Sequence, residues 1–206
     1  MIILELTLSD GEFLVKLARK AITTMLTTGE KIEPPKDVNP KLLEKRGVFV
    51  TLHTYPDHKL RGCIGFPEPI SPLVYATIEA ALLSAFEDPR FPPLQLSELD
   101  KVIIEVSILT KPKLLKVESP SEYLSKIVIG RDGLLIRRGF YSGLLLPQVP
   151  VEEGWNVLEF ISYCCLKAGL PPDCWRDLRT QVYTFQSIIF CEESPKGKII
   201  LKSIKT

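Results

Sequence analysis

Within the 206 residues, one heptapeptide sets a thiol and a guanidinium between glycines in an apolar run: Leu60-Arg61-Gly62-Cys63-Ile64-Gly65-Phe66. The thiolate is the reactive form of cysteine, and a nearby cation favours it. Cys63 beside Arg61 therefore suggests a thiolate nucleophile, with Arg61 holding an anionic group of a small substrate. Read as a strand, period two places Arg61, Cys63 and Gly65 on one face and Leu60, Gly62, Ile64 and Phe66 on the other. Free cysteine is also among the most buried residue types. Glycine in a strand marks close approach of either a ligand or another backbone. Two readings stay open: a reactive cleft, or a packing joint.

Catalysis by cysteine needs a base within hydrogen-bond reach, for which His53 is the candidate, and Glu105 is the acid expected on the same sheet face. Glu105 and Asp88 are expected to pair with Arg61 or Arg90. His53, His58 and Cys63 follow one another with four intervening residues, but a structural zinc site wants a fourth ligand, and no metal site is assigned. No cofactor is implied.

These side chains must be positioned by the surrounding elements. Ser9-Asp10-Gly11-Glu12 has capping-box spacing and predicts a helix from about Ser9 to Thr28, stopped at Gly29. Gly47–His53 reads as a strand forming a hairpin with the motif; closure about Pro56 would set Thr51 opposite Arg61 and Phe49 opposite Cys63. Ser71 is the expected N-cap, with Pro72 at the first position of an almost wholly apolar helix, Leu73–Phe86, at the centre of the fold. Asp88-Pro89-Arg90-Phe91-Pro92-Pro93 ends that helix in a rigid loop. Lys101–Leu109 alternates as a strand with Glu105 and Ser107 opposite its apolar face.

Further on, Ser121–Lys126 predicts a short helix, and Ile127–Ile136 a hairpin turning at Asp132-Gly133. Val151–Ala168 predicts one helix, Gln181–Cys191 one long strand, and Pro195–Lys198 a turn into a terminal strand. Arg131, Arg137 and Arg138 gather around one hairpin, which without interleaved aromatics reads as a solvated face. Cys164 and Cys165, adjacent on a helix, are expected half in the core and half exposed. Trp155 and Trp175 are expected as core anchors.

Length allows one domain with a sizeable core. Charges nearly cancel, at 26 Lys+Arg against 25 Asp+Glu, which argues against nucleic acid and anionic membrane as partners. No apolar run is long enough to span a bilayer and no leader is read, so a soluble cytoplasmic protein, monomer or homodimer, is expected. Five cysteines without an export signal predict reduced thiols. Two Asn, four Gln and 17 Pro lean toward a thermophilic source, in which a bridge among Cys164, Cys165, Cys174 and Cys191 stays open.

Leu60–Gly65, Asp88–Leu94, Glu105–Leu109, Gly130–Gly133, Leu145–Val149 and Lys167–Leu170 together resemble the AMMECR family, whose prokaryotic members are called AmmeMemoRadiSam system protein A. The resemblance runs from about Leu6 to Glu193. It implies an α+β fold, a mixed or antiparallel sheet packed on helices, as a single domain of two intertwined subdomains, one larger, with a cleft between them. It also implies association with a Memo-like and a radical-SAM-like protein. The residues themselves give Cys63, Arg61, His53 and Glu105 as the candidate catalytic residues, and Arg90, Asp88, Gly62, Gly65 and Gln148 as the candidates for substrate contact. The alternative is a non-catalytic adaptor whose motif is mainly structural. Phe66 and Pro150 stand where smaller residues are usual.

Overall fold

The computed structural model describes residues 6–202. Along the chain run α1 (Leu8–Thr28), β1 (Gly47–Thr54), β2 (Leu60–Phe66), α2 (Leu73–Phe86) and β3 (Val102–Leu109). There follow β4 (Lys113–Leu114), α3 (Glu122–Lys126), β5 (Gly133–Arg138), β6 (Tyr141–Leu145), α4 (Val149–Glu152) and α5 (Val157–Lys167). The chain closes with β7 (Gln181–Phe185), β8 (Ser187–Glu192) and β9 (Ile199–Lys202). The fold is α+β, and the chain divides into two compact units.

The first unit comprises the residues up to Leu109 together with Ile188–Lys202. Its five-stranded sheet has the order β2-β1-β3-β8-β9, so the motif strand lies at an edge. Val48, Val50, Leu52, Ile104, Val106 and Ile108 from the sheet share one buried cluster with Leu14, Ala18 and Ile22 of α1 and Leu73, Ile78 and Ala81 of α2. α2 is apolar on nearly every side and buries ten of its fourteen residues, as a helix without a polar face must.

Several local expectations are corrected. α1 is capped by Thr7 rather than Ser9: the Thr7 hydroxyl accepts from the Asp10 amide while Asp10 accepts from the Thr7 amide. Pro72 occupies the N-cap of α2, and no side chain caps that end. The β1–β2 register lies two residues from the symmetric closure, with Thr51 opposite Cys63 and Phe49 opposite Gly65. A register shift between Leu52 and His53 pairs Leu52 with Gly62 and His53 with Leu60, leaving Arg61 as the extra residue of a bulge. A two-residue slip preserves the faces, which is why the alternation stayed legible while the pairs did not.

The second unit, Thr110–Ser187, holds a four-stranded sheet of order β4-β7-β5-β6. Leu134, Ile136 and Val182 of the sheet pack with Phe160, Ile161, Cys164 and Cys165 of α5 and with Trp175. Ile127–Asp132 is a turn and not a strand. The Asp132 carboxylate accepts from the Val128 amide, and the hairpin closes at Gly139-Phe140 instead. The expected single helix is two, because Gly154 takes φ +69 and Asn156 then caps α5 in a box with Glu159. Gln186 splits the expected long strand into β7 and β8 of different sheets; its amide donates to the Thr110 hydroxyl and its carbonyl accepts from the Thr110 amide. Cys164 and Cys165 are both buried. Cys165 and Cys174 form a disulfide, correcting the expectation of fully reduced thiols. Trp175 is a core residue as expected, whereas Trp155 is half-buried and stacks on Tyr163 with ring centroids 4.1 Å apart.

Gly62 shows how tightly α2 seats on the motif. A Cβ there would stand 2.1 Å from the Ser84 carbonyl oxygen, which is helix backbone and cannot yield. Gly62→Ala is therefore expected to destabilise the protein by about 3 kcal/mol, measured as a lowered denaturation midpoint at unchanged m-value; a midpoint within error of wild type would contradict this packing.

Candidate functional site

β2, at the edge of its sheet, must satisfy outward-facing backbone groups. The loop after α2 does this at Cys63. The Asp88 carboxylate accepts from the Cys63 amide at 2.8 Å, and the Arg90 guanidinium donates to the Cys63 carbonyl at 3.1 Å. Asp88 also takes two hydrogen bonds from the Arg90 guanidinium, at 2.9 and 2.7 Å, and one from the Arg90 amide at 3.1 Å. Its carboxyl is buried, and these donors, Arg90 foremost, hold its pKa at about 2. One residue further along, the Ser84 hydroxyl accepts from the Ile64 amide at 2.8 Å and donates to the Val50 carbonyl at 2.7 Å, pinning α2 to both strands.

Arg61 is buried and turned to Glu98, which receives its Nε at 2.9 Å and Nη2 at 3.1 Å. Glu98 in turn closes a capping box with Gln95. The Arg61 and Arg90 guanidiniums both lie over the Phe91 ring, 5.9 and 5.6 Å from its centroid. Of the expected pairings, Asp88 with Arg90 is present, whereas Arg61 pairs with Glu98 and Glu105 with Lys202.

Registers in β2, β1 and β3 align Cys63, Thr51 and Glu105 in one row across the sheet. His53 and Ser107 lie on the same face, two residues to either side of that row. The Thr51 hydroxyl donates to Cys63 Sγ at 3.3 Å, and Lys202 donates to the buried Glu105 carboxylate at 2.7 Å. Burial pushes the Cys63 thiol above its ordinary pKa, outweighing Thr51 and Arg90, which act the other way. Burial likewise lowers His53, with Glu105 opposing. At neutral pH this face presents a protonated thiol and an uncharged imidazole.

Four side chains of this unit carry a buried polar atom with no hydrogen-bond partner among the described residues: His53 at both ring nitrogens, Ser107 at its hydroxyl, Arg61 at Nη1 and Arg46 at Nε. Such groups in a folded protein call for a water or a ligand. His58 is exposed, and among the described residues no three His, Cys, Asp or Glu side chains converge to hold a metal ion. Gln148 belongs to the second unit, where its Oε1 is buried and without a partner among the described residues.

The sequence profile of the AMMECR1 family matches residues 15–190. The chain belongs to that family. A protein of Methanopyrus kandleri is 60% identical over 196 residues, covering 95% of this chain and 94% of the relative. One from Pyrococcus abyssi is 58% identical over 197 residues, covering 94% and 96%. The crystal structure of a protein from Pyrococcus horikoshii, titled uncharacterised, superposes with a TM-score of 0.89 at 59% identity, covering 94% of this chain and 96% of that one.

In this AMMECR1-family chain the structure brings Cys63, Asp88 and Arg90 together through the Cys63 backbone, and Cys63 and Glu105 through Thr51. It does not bring Arg61 to Cys63's row. Gly62 and Gly65 meet protein instead of open space: a Cβ on Gly65 would lie 2.3 Å from the Val48 carbonyl oxygen. Thr51, Ser84, Glu98, Phe91 and Lys202 are further partners at the site to which the spacing of the reactive residues does not point. Glu98 carried a local signal in its capping box, but partners such as Lys202 and Glu105, 97 residues apart, leave none.

The Asp88 clamp has a pH signature. Its folded pKa is depressed, so its contribution is complete above about 3.8 and disappears as pH falls through about 2. Asp88→Asn is expected to cost about 2 kcal/mol at pH 7, with the gap to wild type narrowing below pH 4. Denaturant titrations at pH 7 and 2.5 check this, and a gap independent of pH would contradict it.

Proposed function

We propose that this chain is a non-catalytic binding subunit, in which the Leu60–Gly65 motif is the joint between sheet edge and central helix. The observation that carries this reading is that the motif's chemistry is already engaged. Arg61 is gripped by Glu98, the Cys63 amide and carbonyl by Asp88 and Arg90, and both glycines are filled by backbone. A thiol raised by burial is a poor nucleophile at neutral pH. The family resemblance supplies the partner class, a Memo-like or radical-SAM-like protein, in a cytoplasmic and thermophilic setting. No helix among the described residues is long and apolar enough to cross a membrane.

A second reading, catalysis on a small anionic substrate, draws on the unpartnered His53 ring, Ser107 hydroxyl and Arg61 Nη1. In that reading Cys63, Arg61, His53 and Glu105 act on a ligand that would satisfy those groups.

Thiol alkylation separates the two. With peptide mapping of Cys63 in the folded protein, the labelling rate is expected to be slow at pH 7 and to keep rising beyond pH 9. Rapid labelling that levels off between pH 6 and 7 would establish a thiolate and overturn the binding-subunit reading.

A further inference from the structure

The β5–β6 hairpin of the second unit carries a surface with chemistry of its own. β5 and β6 are joined by a two-residue loop, Gly139-Phe140, in which Gly139 takes φ +59. Glycine at the first loop position meets the backbone requirement of such a hairpin; nothing in the turn calls for an aromatic at the second. Phe140 is nonetheless fully exposed, at 107% of its reference area. Tyr141, also exposed, pairs across the hairpin with Arg138.

On its other side Arg138 donates to Asp177 at 2.9 Å, and Asp177 also accepts from Nη2 of Arg179 at 2.6 Å and from the Arg179 amide at 3.0 Å. One carboxylate thus holds two guanidiniums side by side, Arg179 being 80% exposed. In the same loop Arg176 lies over Trp175 at 5.1 Å. Exposed Lys167 sits beside the hairpin at the end of α5, where a Cβ on Gly143 would meet the Lys167 carbonyl carbon at 2.7 Å. Arg138 and Arg179 share Asp177, and Arg176 and Lys167 lie on the adjoining segments.

We propose that this hairpin tip binds a short single-stranded nucleic acid segment. A base stacks on Phe140 or Tyr141, and a phosphate lies against the N–H groups of Arg138 and Arg179 that Asp177 leaves open. Guanidinium forks match phosphate oxygens in pairs, and bases stack on aromatic and guanidinium planes alike. An exposed aromatic pair beside two guanidiniums held at one carboxylate offers a single-stranded nucleic acid both a stacking plane and a phosphate contact. The expectation of a solvated arginine face rested on a lack of interleaved aromatics or net positive charge; Phe140 and Tyr141 adjoin Arg138 in sequence, and the hairpin leaves both exposed. Near-neutral overall charge limits the contact to a few nucleotides.

The test is fluorescence anisotropy of the full chain with fluorescein-labelled ten-nucleotide oligouridylate and oligothymidylate, at 50 to 200 mM salt. Saturable binding is expected, weakened about tenfold by Phe140→Ser and by Arg179→Glu, and unchanged by Ile70→Ser in the first unit. Arg179→Ala should flatten the slope of log K against log salt by about 0.7. All three side chains, Phe140, Arg179 and Ile70, are exposed, so circular dichroism melts should match wild type. Absence of saturable binding, or binding that both tip variants leave intact, overturns the proposal. So does loss of association with a protein in the tip variants when oligonucleotides do not bind, which would make the tip a protein-docking surface. None of these outcomes depends on the role of Cys63.

Discussion

An edge strand exposes amides and carbonyls that water or another chain would otherwise satisfy, and in this fold the Asp88 carboxylate does much of that work. It takes the Cys63 amide, fixes Arg90 beside it, and through Arg90 engages the Cys63 carbonyl. A loop with three prolines lost little entropy in being held there, since those residues were already restricted before folding. Because the loop follows α2 directly, the clamp also sets where α2 ends. The Gly62–Ser84 approach and the Ser84 bridge to β1 depend on that seating.

From this constraint follows the state of the thiol. Holding β2 in place lines Cys63 up with Thr51 and Glu105, in a half-buried position where ionisation is costly. Arg61, the cation that the sequence placed next to Cys63, is diverted by the bulge to Glu98. Proximity in sequence suggested an ion pair with the thiolate; the bulge turned it into a strut.

Elements with strong local signals were legible in advance: the α1 period, the apolar α2, the alternation of β1 and β3, and the stop at Gly169. Long-range geometry was not. Strand register depends on the turn at Tyr55–Lys59 and on a bulge that no period reveals. Gln186 breaks a continuous β-former run because Thr110, 76 residues away, captures its backbone. The Cys165–Cys174 disulfide was legible only as one of six possible single bridges among Cys164, Cys165, Cys174 and Cys191. At the site, the motif's importance was readable from composition, whereas its partners Glu98, Ser84 and Thr51 depend on which strands and helices meet.

The central claim is that the motif's reactive-looking residues are consumed in holding the sheet edge to the helix. Native-state hydrogen exchange of the Cys63 amide addresses it most directly. If Asp88 clamps that amide as described, it should exchange only through near-global unfolding, as slowly as the core amides of β1. Exchange at the rate of an exposed edge or loop would contradict the account and leave Cys63 free to serve another purpose.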